Sequence, residues 1–306
     1  MSDLISKETS CHKLAGDSCA TIKMVLEPMD RDLGGFSVRR LLPTRELPSV
    51  GPFIFFDHLG PAEFAPGTGI DVRPHPHIGL ATITYVFEGE ILHRDNLGSV
   101  QAIRPEEINW MTAGKGIVHS ERTGPELRRQ GHTLEALQLW VALPEADEET
   151  APFFIHYDSS SLPLIAGNGL AIRIMIGEAY GVNSAVKTHS PTLYLEARLE
   201  AGATISIPDE VEERAVYIVS GSLSAGETAL PQHTMTVFDR TPGIELTARE
   251  PSRLVIIGGT PLGKRTVWWN LAATRKELIE QTKDDWRNGR FPRIPGETEF
   301  IPLPGS

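Results

Sequence analysis

Residues 74–79 read PHPHIG, and residues 114–122 read GKGIVHSER. Side chains at positions i and i+2 of a strand project to the same side. His75 and His77 therefore project together, and so do His119 and Glu121. Two such pairs on neighbouring strands bring three imidazoles and one carboxylate to a single point. Three nitrogens and one hard oxygen suit a divalent transition metal with coordination positions left open. Fe(II), Mn(II), Ni(II), Cu(II) and Zn(II) all fit this set, and the donors alone do not choose among them. A lone histidine is most often just a polar side chain on a strand. Four candidate ligands in two pairs, with glycines at the flanks, are a different matter.

The surrounding residues have to place these pairs. Pro74 and Pro76 fall on the opposite parity from the histidines and remove backbone donors, which puts the segment at a strand start or a sheet edge. Gly114 and Gly116 supply a tight turn ahead of His119. Most of the remaining chain reads as β-structure. ATITYVF (81–87) alternates Ile83, Tyr85 and Phe87 with Thr82, Thr84 and Val86, as expected of a strand with two different faces. LEALQLWVAL (134–143), LAIRIMIG (170–177), TLYLEARL (192–199), AVYIVSG (215–221) and SRLVIIGG (252–259) are further strand candidates. With 28 Gly and 23 Pro as punctuation, the pattern is that of an all-β sandwich or barrel protein.

YVFEGEI at 85–91 returns as YIVSGSL at 217–223, so two barrels of similar design, one per half, are expected. The Pro-, acid- and Ser-rich stretch 144–168 reads as the linker between them. One element departs from the β pattern: TRKELIEQTKDDW, from Thr274 to about Trp286, reads as a helix opened by a capping box from Thr274 to Glu277. The tail after it is too rich in proline for a helix.

Composition narrows the functional classes. The 306 residues carry 29 basic and 40 acidic side chains, a formal net charge of −11, which disfavours direct binding to nucleic-acid phosphates. Cys11 and Cys19 make no disulfide framework, as in a reducing compartment. The opening MSDLISKETS lacks the pattern of a signal peptide, and no apolar run is long enough to span a membrane. A soluble, cytoplasmic protein without membrane or direct nucleic-acid contacts is expected.

At this point the residues carry a resemblance. GIDVRPHPH matches the first cupin motif, G-x5-H-x-H, through Gly69, His75 and His77, and GKGIVH resembles the second through His119. More specifically, the series HPHIG, YVFEGE, HRDNLG and WMTAGKGIVHSE resembles the pirins, a bicupin subfamily. The stretch VWWNLAATRKELIEQTKDDWRNGRFPRIPGE extends that likeness over nearly the whole chain. The resemblance implies an all-β bicupin, two double-stranded β-helix barrels with a short C-terminal helix. It divides the chain into an N-terminal cupin domain at 1–150, a C-terminal cupin domain at 151–262, and a helix with an extended tail at 263–306. It also implies one metal, Fe(II) foremost, held by His75, His77, His119 and Glu121.

General cupins carry a glutamate ligand shortly after H-x-H, where this chain has Ala81 and Thr82, so Glu121 must supply the carboxylate. Positions equivalent to His75 and His77 in the second half are Ile207 and Asp209, and a barrel without metal is expected there. The implied activity is that of a quercetin 2,3-dioxygenase, with a flavonol and O2 as substrates and Glu121 taking the substrate proton. A competing implication is a metal-binding regulatory protein that modulates transcription or metabolic enzymes through a protein partner. His93 and Asp95 lie near the site and read first as a structural hydrogen-bonded pair, with support of the metal ligands as the alternative. Asp57 and His58 read as loop anchors, with the pocket mouth as the alternative place for them, and Phe53, Phe55, Phe56 and Trp110 as core, with one or two able to face the metal cavity. His132, His156, His189 and His233 stand alone, and TGPE (123–126) suggests no chemistry.

Overall fold

The computed structural model describes residues 11–12, 21–32 and 36–305; the expectation for Cys19 falls outside them. The chain forms two barrels, each a large sheet closed by a four-stranded one. In the first barrel the large sheet runs, in spatial order, Phe153–Tyr157, Ile108–Thr112, Leu80–Glu88, His132–Ala142, Phe53–Phe64, Ser37–Leu42, Met29–Asp32. Its small sheet is Asp71–His77, Ile117–Arg122, Ile91–Asp95, Val100–Ile103. The second barrel repeats the plan around Glu213–Ser220, Ser252–Gly259 and Thr192–Leu199, with Glu245–Ala248 and Leu223–Ala225 central in its small sheet. The strand pair joined by Gly89 in the first half matches the pair joined by Gly221 in the second, both glycines having φ above +80°. The repeat in the sequence is therefore a repeat of strands and turns.

The two large sheets pack face to face, and this explains a strand pattern with two buried faces. Ile83, Tyr85 and Phe87 lie in a cluster shared with Met175, Tyr194, Tyr217 and Val255 of the second barrel. Thr82, Thr84 and Val86 are buried as well, and face the interior of their own barrel. Tyr85 and His58 both pair with Leu137 across strands; Tyr217 and Glu196 both pair with Val255. Equivalent positions thus exchange hydrogen bonds across the interface. Tyr85 donates its hydroxyl proton to Glu196 at 2.6 Å, and Tyr217 lies 2.7 Å from Nδ1 of His58. His58 Nε2 faces Glu135, so the ring donates there and Nδ1 accepts from the tyrosine. Burial lowers the His58 pKa and keeps the ring neutral.

Several expectations change here. Asp57 and His58 are mid-strand rather than loop anchors; Asp57 takes a bidentate pair of bonds from Arg40 at 2.7 and 2.6 Å. The stretch 144–168 is not a bare linker, because Phe153–Tyr157 adds an edge to the first large sheet and Leu164–Gly167 an edge to the second. A short helix, Pro125–Gln130, follows Gly124 where no element was expected. The C-terminal helix spans Lys276–Arg287, but the capping box does not form. Thr274 instead gives its hydroxyl and backbone N–H to the buried Glu148. A carboxylate taken from water needs those donors more than a helix end open to solvent does.

We expect Tyr85→Phe to cost about 1–3 kcal/mol, because Glu196 is left with one buried oxygen short of a donor. Urea denaturation would measure it. A change below a few tenths of a kcal/mol would mean that the interface does not depend on this bond.

Candidate metal centre

The small sheet of the first barrel carries the histidines. Asp71–His77 is its edge strand, as the two prolines require, and pairs antiparallel with Ile117–Arg122, placing His119 directly opposite His75. His75, His77 and His119 each present one ring nitrogen into the barrel, and these atoms all lie within 4.8 Å of one another. No other such cluster occurs among the described residues. The turn into the second strand relies on Gly114, at φ +51°, where a Cβ would lie 2.1 Å from the Thr150 carbonyl oxygen.

The backbone fixes which nitrogens point inward. His75 Nδ1 lies 2.9 Å from the Arg73 carbonyl, and His77 Nδ1 lies 2.9 Å from the Asn270 carbonyl. A carbonyl only accepts, so both protons sit on Nδ1 and both Nε2 atoms carry bare lone pairs. His119 is oriented by side chains instead. Its Nδ1 stands 3.5 Å from His93 Nδ1, while His93 Nε2 donates to Asp95 at 3.0 Å. Asp95 accepts in turn from the Leu97 and Ser99 N–H groups, and the His93 ring is stacked on Phe154 at 4.3 Å. The pair is hydrogen-bonded as expected, and it also reaches His119. Desolvation would raise the Asp95 pKa, but the bonds from His93 and Ser99 outweigh it and hold the carboxyl below its usual value.

The site fits a cation. His77 Nε2 and His119 Nε2 are 3.1 Å apart, and with the His119 proton on Nδ1, toward His93, they are two acceptors face to face. Burial lowers the pKa of His75 to about 4 and those of His77 and His119 well below the usual value, so neither ring brings the missing proton at neutral pH. A divalent metal satisfies all three lone pairs at once.

Glu121 sits differently from the expectation of a fourth converging donor. The register against the His75 strand shifts between His119 and Glu121, but against Ile91–Asp95 it runs on unbroken, so Glu121 keeps the inward face; its carboxylate is nevertheless not among the atoms of the 4.8 Å cluster. Burial raises its pKa, and the Thr84 hydroxyl, 3.1 Å away, donates to Oε1. Thr84 also lies 3.0 Å from the Gln138 carboxamide, which must turn its NH2 toward a hydroxyl with only one proton to give. On the other side Trp140 meets His77 edge-on at 5.2 Å and is stacked on Phe55 at 4.0 Å. Sequence reasoning missed Thr84, Gln138, Trp140 and Asn270. Strand parity could have supplied the first three, since they share the barrel-facing register; nothing local marks Asn270.

The equivalent region of the second barrel is apolar. Ile207 is buried in an aliphatic cluster with Ile205, Leu223 and Leu246, and Asp209 is exposed. No helix among the described residues is long and apolar enough to cross a membrane.

Two outcomes follow. His93→Phe should weaken Ni(II) or Zn(II) binding roughly 10- to 100-fold without unfolding the chain, as loss of an orienting partner generally does; calorimetry would measure it, and unchanged affinity would reduce His93 to a packing role. Metal-free protein should lose stability as pH falls from about 6.5 toward 4. In that window unfolded imidazoles take up protons that folded His75 refuses, so the unfolded state gains with each step down. A flat denaturation midpoint across it would contradict this.

Comparison with known proteins agrees with this geometry. The Pirin family model matches residues 35–141, and that of the pirin C-terminal cupin domain matches residues 194–292. A pirin-like protein of Caulobacter vibrioides is 46% identical over 288 residues, covering 92% of this chain and 99% of its own. Mouse pirin is 32% identical over 280 residues, covering 88% of this chain and 93% of its own. Among solved structures, a quercetin 2,3-dioxygenase from Acinetobacter baumannii superposes with a TM-score of 0.85 at 32% identity, covering 94% of this chain and 96% of that one. Two closed barrels, one with a polar interior holding three histidines and one aliphatic, are the bicupin plan, and the chain belongs to the pirin family.

Proposed function

We propose that this protein is a metal-dependent dioxygenase of the quercetin 2,3-dioxygenase type, cleaving a flavonol with O2 to a depside and CO. The observation that carries the reading is the convergence of three imidazole nitrogens, those of His75 and His77 bare, in a buried barrel interior. The likeness to a solved quercetin 2,3-dioxygenase over almost the full chain supports the choice of reaction. His75, His77 and His119 hold the metal, with Fe(II) as the first candidate and Glu121 able to join them. When bound, the metal supplies a Lewis acid that acidifies a coordinated hydroxyl and a centre at which O2 and an electron-rich substrate can meet.

The chain's own residues account for the rest. Glu121 stands beside the histidines with Oε1 held by Thr84, which leaves its other oxygen to accept the proton of the flavonol 3-hydroxyl. Burial disfavours its charge, so it is a stronger base than a carboxylate in water. Trp140 and Phe55 form an aromatic wall next to His77, against which a planar substrate can lie. Atoms balance: the two oxygens of O2 enter the opened ring, and one ring carbon leaves as CO.

Metal-reconstituted protein under air should release CO from quercetin, and His119→Ala should not. Glu121→Gln should retain metal while its turnover falls roughly 10²- to 10⁴-fold, the usual effect of losing a positioned base. Absence of CO from protein carrying a full complement of iron, manganese, nickel, copper or zinc in turn would overturn the proposal. An active Glu121→Ala protein with full metal occupancy would remove Glu121 from the mechanism.

A further inference from the structure

A cavity of about 390 Å³ lies between the C-terminal helix, the tail and the outer face of the strands that carry the histidines. This is within the size range of small-molecule sites. Pro74 and Val118 form its floor; each neighbours a site histidine in sequence and has the opposite strand parity, so the cavity is on the far side of the sheet from the metal centre. Trp286 forms a wall and meets Phe291 and Phe300 edge to face, at 5.8 and 6.1 Å between ring centres. The indole N–H is already committed to the Ile301 carbonyl, so the rings offer apolar surface only. Phe300 is 56% exposed, a large aromatic side chain left in water at the rim.

Charge selects the occupant. Arg287 and Arg293 also line the cavity, and among the described residues neither has an acidic group within 4 Å. Glu297 and Glu299, on the same lining, are both taken by Arg122 at 2.7 and 2.8 Å. In a chain of net charge −11, two guanidinium groups without carboxylate partners beside an aromatic wall leave a place for an anion carrying a flat apolar body. We propose that this cavity binds a small aromatic carboxylate, its ring packed against Trp286 and Phe300 and its carboxylate held by Arg287 and Arg293. The site is separate from the metal centre and does not depend on the reaction proposed above.

The test uses the full chain stripped of metal, so that no carboxylate can bind at the histidines. Calorimetric titration with 2-naphthoate should give one site per chain. An Arg287→Gln/Arg293→Gln double variant should bind at least tenfold more weakly, and the neutral 2-naphthalenemethanol should bind wild type comparably weakly. Both arginines are exposed, so thermal unfolding of the double variant should match wild type. Phe300→Ala, at the rim, offers an independent variant and should weaken binding several-fold. No heat of binding at millimolar 2-naphthoate, or equal affinity in wild type and the double variant, would overturn the proposal.

Discussion

Three imidazole lone pairs, buried and aimed at one point, are unfavourable on their own, and much of the first barrel is arranged to impose them. Desolvation removes the option of protonating the rings, and backbone carbonyls at Arg73 and Asn270 remove the option of the other tautomer for two of them. A cation satisfies all three lone pairs at once. The free energy invested in converging the three rings is returned when metal binds, which is why the orienting groups around the ligands matter as much as the ligands. His93 and Asp95 belong to the same arrangement: they do for His119 what main-chain oxygens do for the other two.

The fold and the three histidines were legible in the sequence because their signals are short-range. The i, i+2 spacing, the prolines on alternate parity and the Gly-marked turns are each decided by a few neighbouring residues, and the strands at 192–199 and 252–259 came out to the residue. What escaped depends on contacts far along the chain. The Thr274 cap was lost to Glu148, 126 residues away, because a buried carboxylate outcompetes a surface helix end. The Glu121 carboxylate is held by Thr84, 37 residues away on another strand. Asn270 acts through its carbonyl oxygen, which every residue possesses.

The two barrels share a backbone plan and one interface, yet their interiors diverged. At that interface, equivalent positions became His58 in one half and Glu196 in the other, each accepting a tyrosine hydroxyl from the opposite barrel. Inside, the second barrel filled with aliphatic side chains and the first kept polar ones. The aliphatic barrel supplies a rigid wall against which the first large sheet can hold its strands still. A metal site with ligands on two strands of a thin four-stranded sheet benefits from such a backing.

The chain returns from the second barrel to the first, where the Leu271–Ala273 strand meets the histidine strand at Ile78 and Ile301 donates to the Pro74 carbonyl. Gly79 allows this close approach: a Cβ there would lie 2.0 Å from the Ala272 carbonyl oxygen. This has a consequence for biosynthesis. Asn270, which sets the His77 ring, leaves the ribosome only after every strand of both large sheets has been made. Until then the first barrel lacks the carbonyl that orients the His77 ring. Metal capture in the final geometry is therefore deferred to the completed polypeptide, and a truncated product lacking the returning segment would lack a properly set site even with all three histidines present.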